Sequence, residues 1–154
     1  MIKEIESRRS IRRYKRHSFK KELIEEILKA GMLAPSSKNR QPWHFIVTTG
    51  SAKEQVLKAM EAGLKREEKQ PFLPESAPYL DGARATLKIM KEAPVIIFIT
   101  DPLASPMDQP LAIDERVSEI CNAQSMGAAI ENMTLAATEL GLGSLWICNT
   151  FFAQ

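Results

Sequence analysis

Arg8-Arg9-Ser10-Ile11-Arg12 carries the clearest chemical potential in the chain. In extended backbone, residues two and four apart share a face. Arg8, Ser10 and Arg12 would then present two permanent cations and a hydroxyl on one side. A guanidinium binds phosphate through two parallel hydrogen bonds and cannot lose its charge, so this set suits an anion clasp. The same run also reads as a solvated basic segment. A second group, APSSKNRQPWHF at residues 34–45, is rich in hydroxyls and amides and lies between a helix end and a strand. Polar recognition often sits in such a loop, though taken alone it reads as an ordinary capped loop with Trp43 in the core. A third, LGLGSLW at residues 140–146, has a Gly-x-Gly that follows a helix instead of opening one, which excludes a dinucleotide-binding turn.

Hydrophobic periodicity places these groups on a framework. The first seven residues read as a short helix and residues 7–14 as extended or irregular. Ser18 can cap a helix over residues 20–33, with Leu23, Ile24, Ile27, Leu28 and Met32 as its apolar stripe and Pro35 as its stop. WHFIVTT at residues 43–49 is aromatic and β-branched, hence a strand. Ser51 and Glu54 have the spacing of a capping box opening a helix to residue 64. Residues 65–69 read as a solvated charge run, and Pro71, Pro74 and Pro78 as an irregular stretch that either covers a ligand or is simply a loop. A helix over 80–91 precedes the apolar run at 94–100, a strand expected to be buried on both faces. After a loop broken by Pro102, Pro106 and Pro110, a long helix over 112–140 ends at Gly141 and Gly143, and a last strand covers 144–149. The order α-α-β-α-α-β-α-β predicts one α+β domain, a mixed sheet sandwiched by helices.

The 154 residues suffice for one domain with a real core, and 44% hydrophobic with 26% charged residues is ordinary for a globular chain. A net charge of +2 calls for no bulk electrostatic partner. Nine Lys and Arg nevertheless fall between Lys3 and Lys21, against Glu4 and Glu6. No stacking platform interleaves them, which argues against nucleic acid. The start lacks the apolar core of a signal peptide, and the longest strongly apolar run, residues 95–99, is too short to span a bilayer. Cys121 and Cys148 have no CxxC spacing, so a cytoplasmic, reducing setting is expected. His17 and His44 lack ligand spacing, so no metal site is expected, and Cys148 has no activating base nearby in sequence. Asp114, Glu115 and Glu119 read as a solvated helix face.

Together RRSIR, APSSKNRQPWHF and GLGSLWI, in this order and spacing, closely resemble the nitroreductase family, over residues 3–150 or so. The resemblance implies an α+β homodimer with two FMN sites at the subunit interface. It implies that NADH or NADPH reduces the flavin, which then reduces a small-molecule acceptor such as a nitroaromatic or quinone, in ping-pong order. Arg8, Arg9, Ser10 and Arg12 match the FMN clasp, with Arg12 also reaching the pyrimidine edge. Pro35, Ser36, Ser37 and Asn39 match the loop that the partner subunit lays against the flavin. Trp146, Ile147 and Cys148 match the strand on the other side of the ring. No side chain is expected to act as acid or base. A fixed cation near N1 and O2 stabilises reduced flavin, so placement suffices. Relatives with flavin-destroying or dehalogenating chemistry share the clasp, and a flavin store or redox sensor without turnover is a further alternative. The expectation is one nitroreductase-like domain over 1–154, without the helix, strand and C-terminal arm that family members usually carry beyond this point.

Overall fold

The computed structural model describes residues 1–15 and 20–148. Its elements are α1 (Lys3–Ser7), α2 (Lys21–Met32), β1 (His44–Thr48), α3 (Gly50–Lys69), α4 (Leu80–Glu92), β2 (Ile96–Thr100) and α5 (Ile113–Glu139), with short 3₁₀ turns at Ser37–Asn39 and Ala77–Tyr79. β1 and β2 pair as a two-stranded sheet, and Ser10 joins Ser144 in an isolated parallel bridge. The chain divides into two compact units, one of residues 1–10, 20–46 and 97–144, the other of residues 11–19, 47–96 and 145–154.

In the first unit α2 packs along α5. Ile27 meets Met133 and Ala137, and Leu28, Phe45, Ile97, Ile99, Leu140 and Leu142 close round them. Gly31 permits the approach, because a Cβ there would lie 2.9 Å from the Met133 Cγ and Sδ and 3.1 Å from the Phe45 ring. Asn132 Nδ2 donates to the Ala30 carbonyl at 3.1 Å, fixing the register of the two helices. α5 ends in a Schellman motif. Gly141 takes φ +73°, its N–H bonds Thr138 O at 3.0 Å, and Leu142 N bonds Ala137 O at 2.8 Å. The Gly-Leu-Gly therefore terminates the helix and aims the chain at Ser144.

In the second unit α3 packs on α4, burying Leu57, Met60 and Leu64 from one and Leu80, Ala83, Leu87 and Met90 from the other. Lys53 Nζ closes the end of α4 by donating to the carbonyls of Lys91 and Ala93, at 3.2 and 2.6 Å.

Four expectations need correction. α3 starts at Gly50 after the extended Thr49, with no side-chain cap; Ser51 is already inside the helix and cannot cap it. α3 also continues through residues 65–69. Glu67 extends the buried stripe of Leu57, Met60 and Leu64 and is only 6% exposed. β2 is half-buried and not enclosed, since it has only one neighbouring strand among the described residues. The stretch expected as the last strand makes a single bridge at Ser144, and residues 145–148 form no ladder. One pairing point does not make a strand, and residues 11–15, which follow Ser10, have no regular structure. The Ser18 cap, His17 and Asn149 lie outside the described residues.

Glu67 has a job that its charge obscures. Its two carboxylate oxygens accept the backbone amides of Phe72 and Leu73, at 2.9 and 3.0 Å, and so pin the proline-rich stretch. The neighbouring Ser76 hydroxyl does most to hold the carboxyl below its ordinary range; burial opposes, and the two amides add to the lowering. Ser76 Oγ has no partner in good hydrogen-bond geometry, and it is the two amides that fix the carboxylate in place. A carboxyl with a depressed folded pKa stabilises above its unfolded value and loses that contribution as pH falls through the folded one. Denaturant unfolding should thus show wild type losing its advantage over Glu67→Gln on acidification from pH 7 to below roughly 4. A constant difference across that range would show that the charge is immaterial.

Candidate functional site

The first unit contains Arg8, Arg9 and Ser10, the whole of residues 34–45, and Gly141 to Ser144. The parallel bridge between Ser10 and Ser144 sets the arginine segment beside the chain leaving α5, although 134 positions separate the two in sequence.

Arg8 is the C-cap of α1, with its own N–H bonded to Glu4 O at 2.8 Å. Its side chain is partly covered, and its Nε lies 3.8 Å from Glu131 Oε1 on α5. Arg9 folds back on the same helix end, where Nη1 donates to the carbonyls of Glu6 and Arg8, both at 2.8 Å. That bond satisfies orphan carbonyls at a helix C-terminus and ties down the start of the segment. Ser10 and Arg9 are exposed.

The loop after α2 is built round Ser36 and Ser37. Ser36 Oγ accepts the Gln41 N–H at 3.0 Å, and Ser36 O accepts the Asn39 N–H at the same distance. Ser37 N donates to Ser125 Oγ at 3.1 Å, and Ser125 Oγ donates in turn to Cys121 O at 2.7 Å. Between these anchors Lys38, Asn39 and Gln41 all take left-handed backbone, φ +53°, +52° and +49°. Asn tolerates that region; Lys and Gln do so at a cost of about 1 kcal/mol or more each, and such strain concentrates at binding sites. Pro35, Lys38 and Asn39 are exposed, with Ser36 and Ser37 half-buried.

The second unit holds the other expected site residues, Arg12 and Trp146 to Cys148. Arg12 is exposed. Tyr14 nearby donates its hydroxyl to Ile11 O at 2.9 Å. Burial pushes the Tyr14 phenol up, with the Arg12 cation opposing, so it stays a neutral donor. Exposure alternates along the last described residues: Trp146 is 45% exposed, Ile147 half-buried and Cys148 exposed. A tryptophan so open to solvent leaves an aromatic surface available for contact.

Ser125, Glu131 and Thr134 sit within the long helix, and the residue pattern does not mark them as functional. Nothing in a helical pattern marks a serine as the anchor of a distant loop. Replacing Ser125 with Ala leaves the Ser37 amide without its acceptor, at a cost of about 1–3 kcal/mol. Thermal unfolding and amide exchange at Ser37 test this: the variant should melt lower and exchange faster there, and wild-type values in both would show the bond to be idle. Among the described residues no group of three or more His, Cys, Asp or Glu could hold a metal ion, and no helix is long and apolar enough to cross a membrane.

The donor set of the first unit itself fits a phosphate group. Within the first unit it offers guanidinium and hydroxyl donors on a tethered segment, together with a strained polar loop. The profile of the Nitroreductase family matches residues 5–154. A protein of Archaeoglobus fulgidus, provisionally named NADH dehydrogenase/NAD(P)H nitroreductase, is 34% identical over 146 residues, 95% of this chain and 66% of its own length. A protein of Methanothermobacter thermautotrophicus with the same provisional name is 32% identical over 148 residues, 95% and 59% of the two chains. The chain thus spans less than two thirds of these curated relatives. The crystal structure of a provisionally assigned nitroreductase from Desulfovibrio desulfuricans in complex with FMN has 29% identity and a TM-score of 0.66, over 96% of this chain and 67% of that one.

Proposed function

Because this chain belongs to the nitroreductase family, we propose that it is an FMN-dependent oxidoreductase which takes electrons from NADH or NADPH and passes them to a nitroaromatic, quinone or similar acceptor. The observation that carries this reading is the Ser10–Ser144 bridge, which sets Arg8, Arg9 and Ser10 beside the turn after α5. When bound, FMN would supply reversible two-electron chemistry. The chain's own residues would hold and bias it. Arg8, Arg9, Ser10 and Arg12 neutralise the phosphate, and Arg12 also faces the pyrimidine edge, where a fixed cation favours the reduced form. Pro35, Ser36, Ser37 and Asn39 cover the ring from the partner subunit, and Trp146, Ile147 and Cys148 line its other side. No acid or base is required of a side chain.

The shared site has support in the placement of the two anchors on α5. Ser125 holds the loop and Glu131 meets the clasp. Six residues of helix separate them by about 9 Å along the axis and about 120° round it, so loop and clasp dock on different flanks. Ile113, Val117 and Ile120 on the same helix are 84%, 54% and 50% exposed, an apolar surface that a second copy would cover. We infer a cytoplasmic homodimer.

Steady-state kinetics test the activity. With NADH or NADPH and a quinone varied together, the reading predicts turnover with parallel double-reciprocal lines. Bound FMN with no oxidation of either nucleotide would favour a flavin store or sensor instead.

A further inference from the structure

We propose that Glu131 is a positioning residue for Arg8, holding the guanidinium in the pose that receives the FMN phosphate. The inference rests on the phosphate reading of Arg8 given above.

Two contacts carry it. Glu131 Oε1 stands 3.8 Å from Arg8 Nε, an ion pair in which the carboxylate faces the Nε side of the guanidinium. The outer pair of amino groups is the edge suited to two parallel bonds with phosphate. Glu131 is itself held. Thr134, 8% exposed and one turn further along α5, shares its hydroxyl hydrogen between Glu131 O at 3.0 Å and Glu131 Oε2 at 3.1 Å. One carboxylate oxygen is thereby fixed to the helix and the other is turned toward Arg8.

The pair is poorly placed to stabilise folding. The side chains are 34% and 45% exposed, and ion pairs this open contribute little. An arginine loses much rotamer freedom when it clasps a ligand, and a partner that limits that freedom beforehand lowers the cost of binding. The opposing effect is the carboxylate's charge, which repels an incoming phosphate. Glu131 is separated from that phosphate by the guanidinium and screened by solvent, so preorganisation wins.

Titration of the apoprotein with FMN and with riboflavin, which lacks the phosphate, tests the proposal. Glu131→Ala should weaken FMN binding about three- to tenfold and leave riboflavin binding unchanged. Glu131→Gln removes the charge on which a 3.8 Å pair depends and should weaken FMN binding in the same direction, with riboflavin binding again unchanged. Thr134→Val should shift FMN affinity in the same direction by less. In an Arg8→Ala background, Glu131→Ala should have no further effect. Equal FMN and riboflavin affinity in the wild type would overturn the phosphate reading itself. If wild type prefers FMN and Arg8→Ala abolishes that preference, positioning alone is overturned by any of three results for Glu131→Ala: unchanged FMN affinity, tighter FMN binding, or equal loss for both ligands. Should Glu131→Ala fail to fold, Glu131→Gln and Thr134→Val decide on the same scale, and FMN affinity unchanged in Thr134→Val would overturn it.

Discussion

Replacing Arg8 or Arg12 with Ala is expected to weaken FMN binding by about 1.5–3 kcal/mol each, roughly ten- to 150-fold in Kd. Each change removes a charged donor from a phosphate dianion, and with it the two parallel bonds that a guanidinium can make. Arg8 has a defined seat, between the end of α1 and Glu131, so its loss removes a donor already in place. Arg9 differs, because its Nη1 is engaged with the carbonyls of Glu6 and Arg8. Its replacement should loosen the end of α1 as well as the clasp. Lys15→Ala, outside the pattern, is the control. Fluorescence titration of apoprotein measures all of these, and unchanged affinity in both Arg8→Ala and Arg12→Ala would remove the clasp from the account.

The second large effect concerns the shared site. An Arg12→Ala chain and a Ser36→Trp chain should each be nearly inactive alone. Mixed and allowed to exchange subunits at random, they should recover about a quarter of wild-type activity, since half the dimers are mixed and each mixed dimer has one intact site of two. On α5 the loop meets Ser125 and Arg8 meets Glu131, on different flanks of the helix. If both parts of a site came from one chain, no mixture would restore activity. Absence of recovery with exchange demonstrated by mass spectrometry would therefore refute the composite arrangement, as would a monomer that binds FMN fully.

Much of the framework could be read from residue patterns alone. The stripe of Leu23, Ile24, Ile27 and Leu28 marks α2, and the stop at Pro35 and the glycine at 141 fall where those helices end. Periodicity fails where a polar side chain takes an apolar position. Glu67 occupies the buried face of α3 because two amides of the proline stretch satisfy its carboxylate, and those amides are invisible to a hydropathy pattern. The Ser51–Glu54 spacing misleads because Gly50 turns the chain one residue too early for Ser51 to act as cap. At the site, residue types in RRSIR and PSSKN indicate anion and amide recognition. The left-handed backbone at Lys38 and Gln41, and the anchors Ser125 and Glu131, depend on contacts between segments roughly 90 to 120 positions apart. Local sequence carries no trace of them.

Everything proposed for these residues presupposes that the protein carries FMN and that reduced nicotinamide can reach it. The most direct test is the absorbance spectrum of the purified protein, followed by anaerobic addition of NADH or NADPH. The protein should be yellow with an oxidised-flavin spectrum, should release FMN as its chromophore, one per subunit, and should be bleached by at least one nucleotide, with return of colour on adding a quinone. A colourless protein that does not take up added FMN, or a flavin that neither nucleotide bleaches, would contradict that expectation.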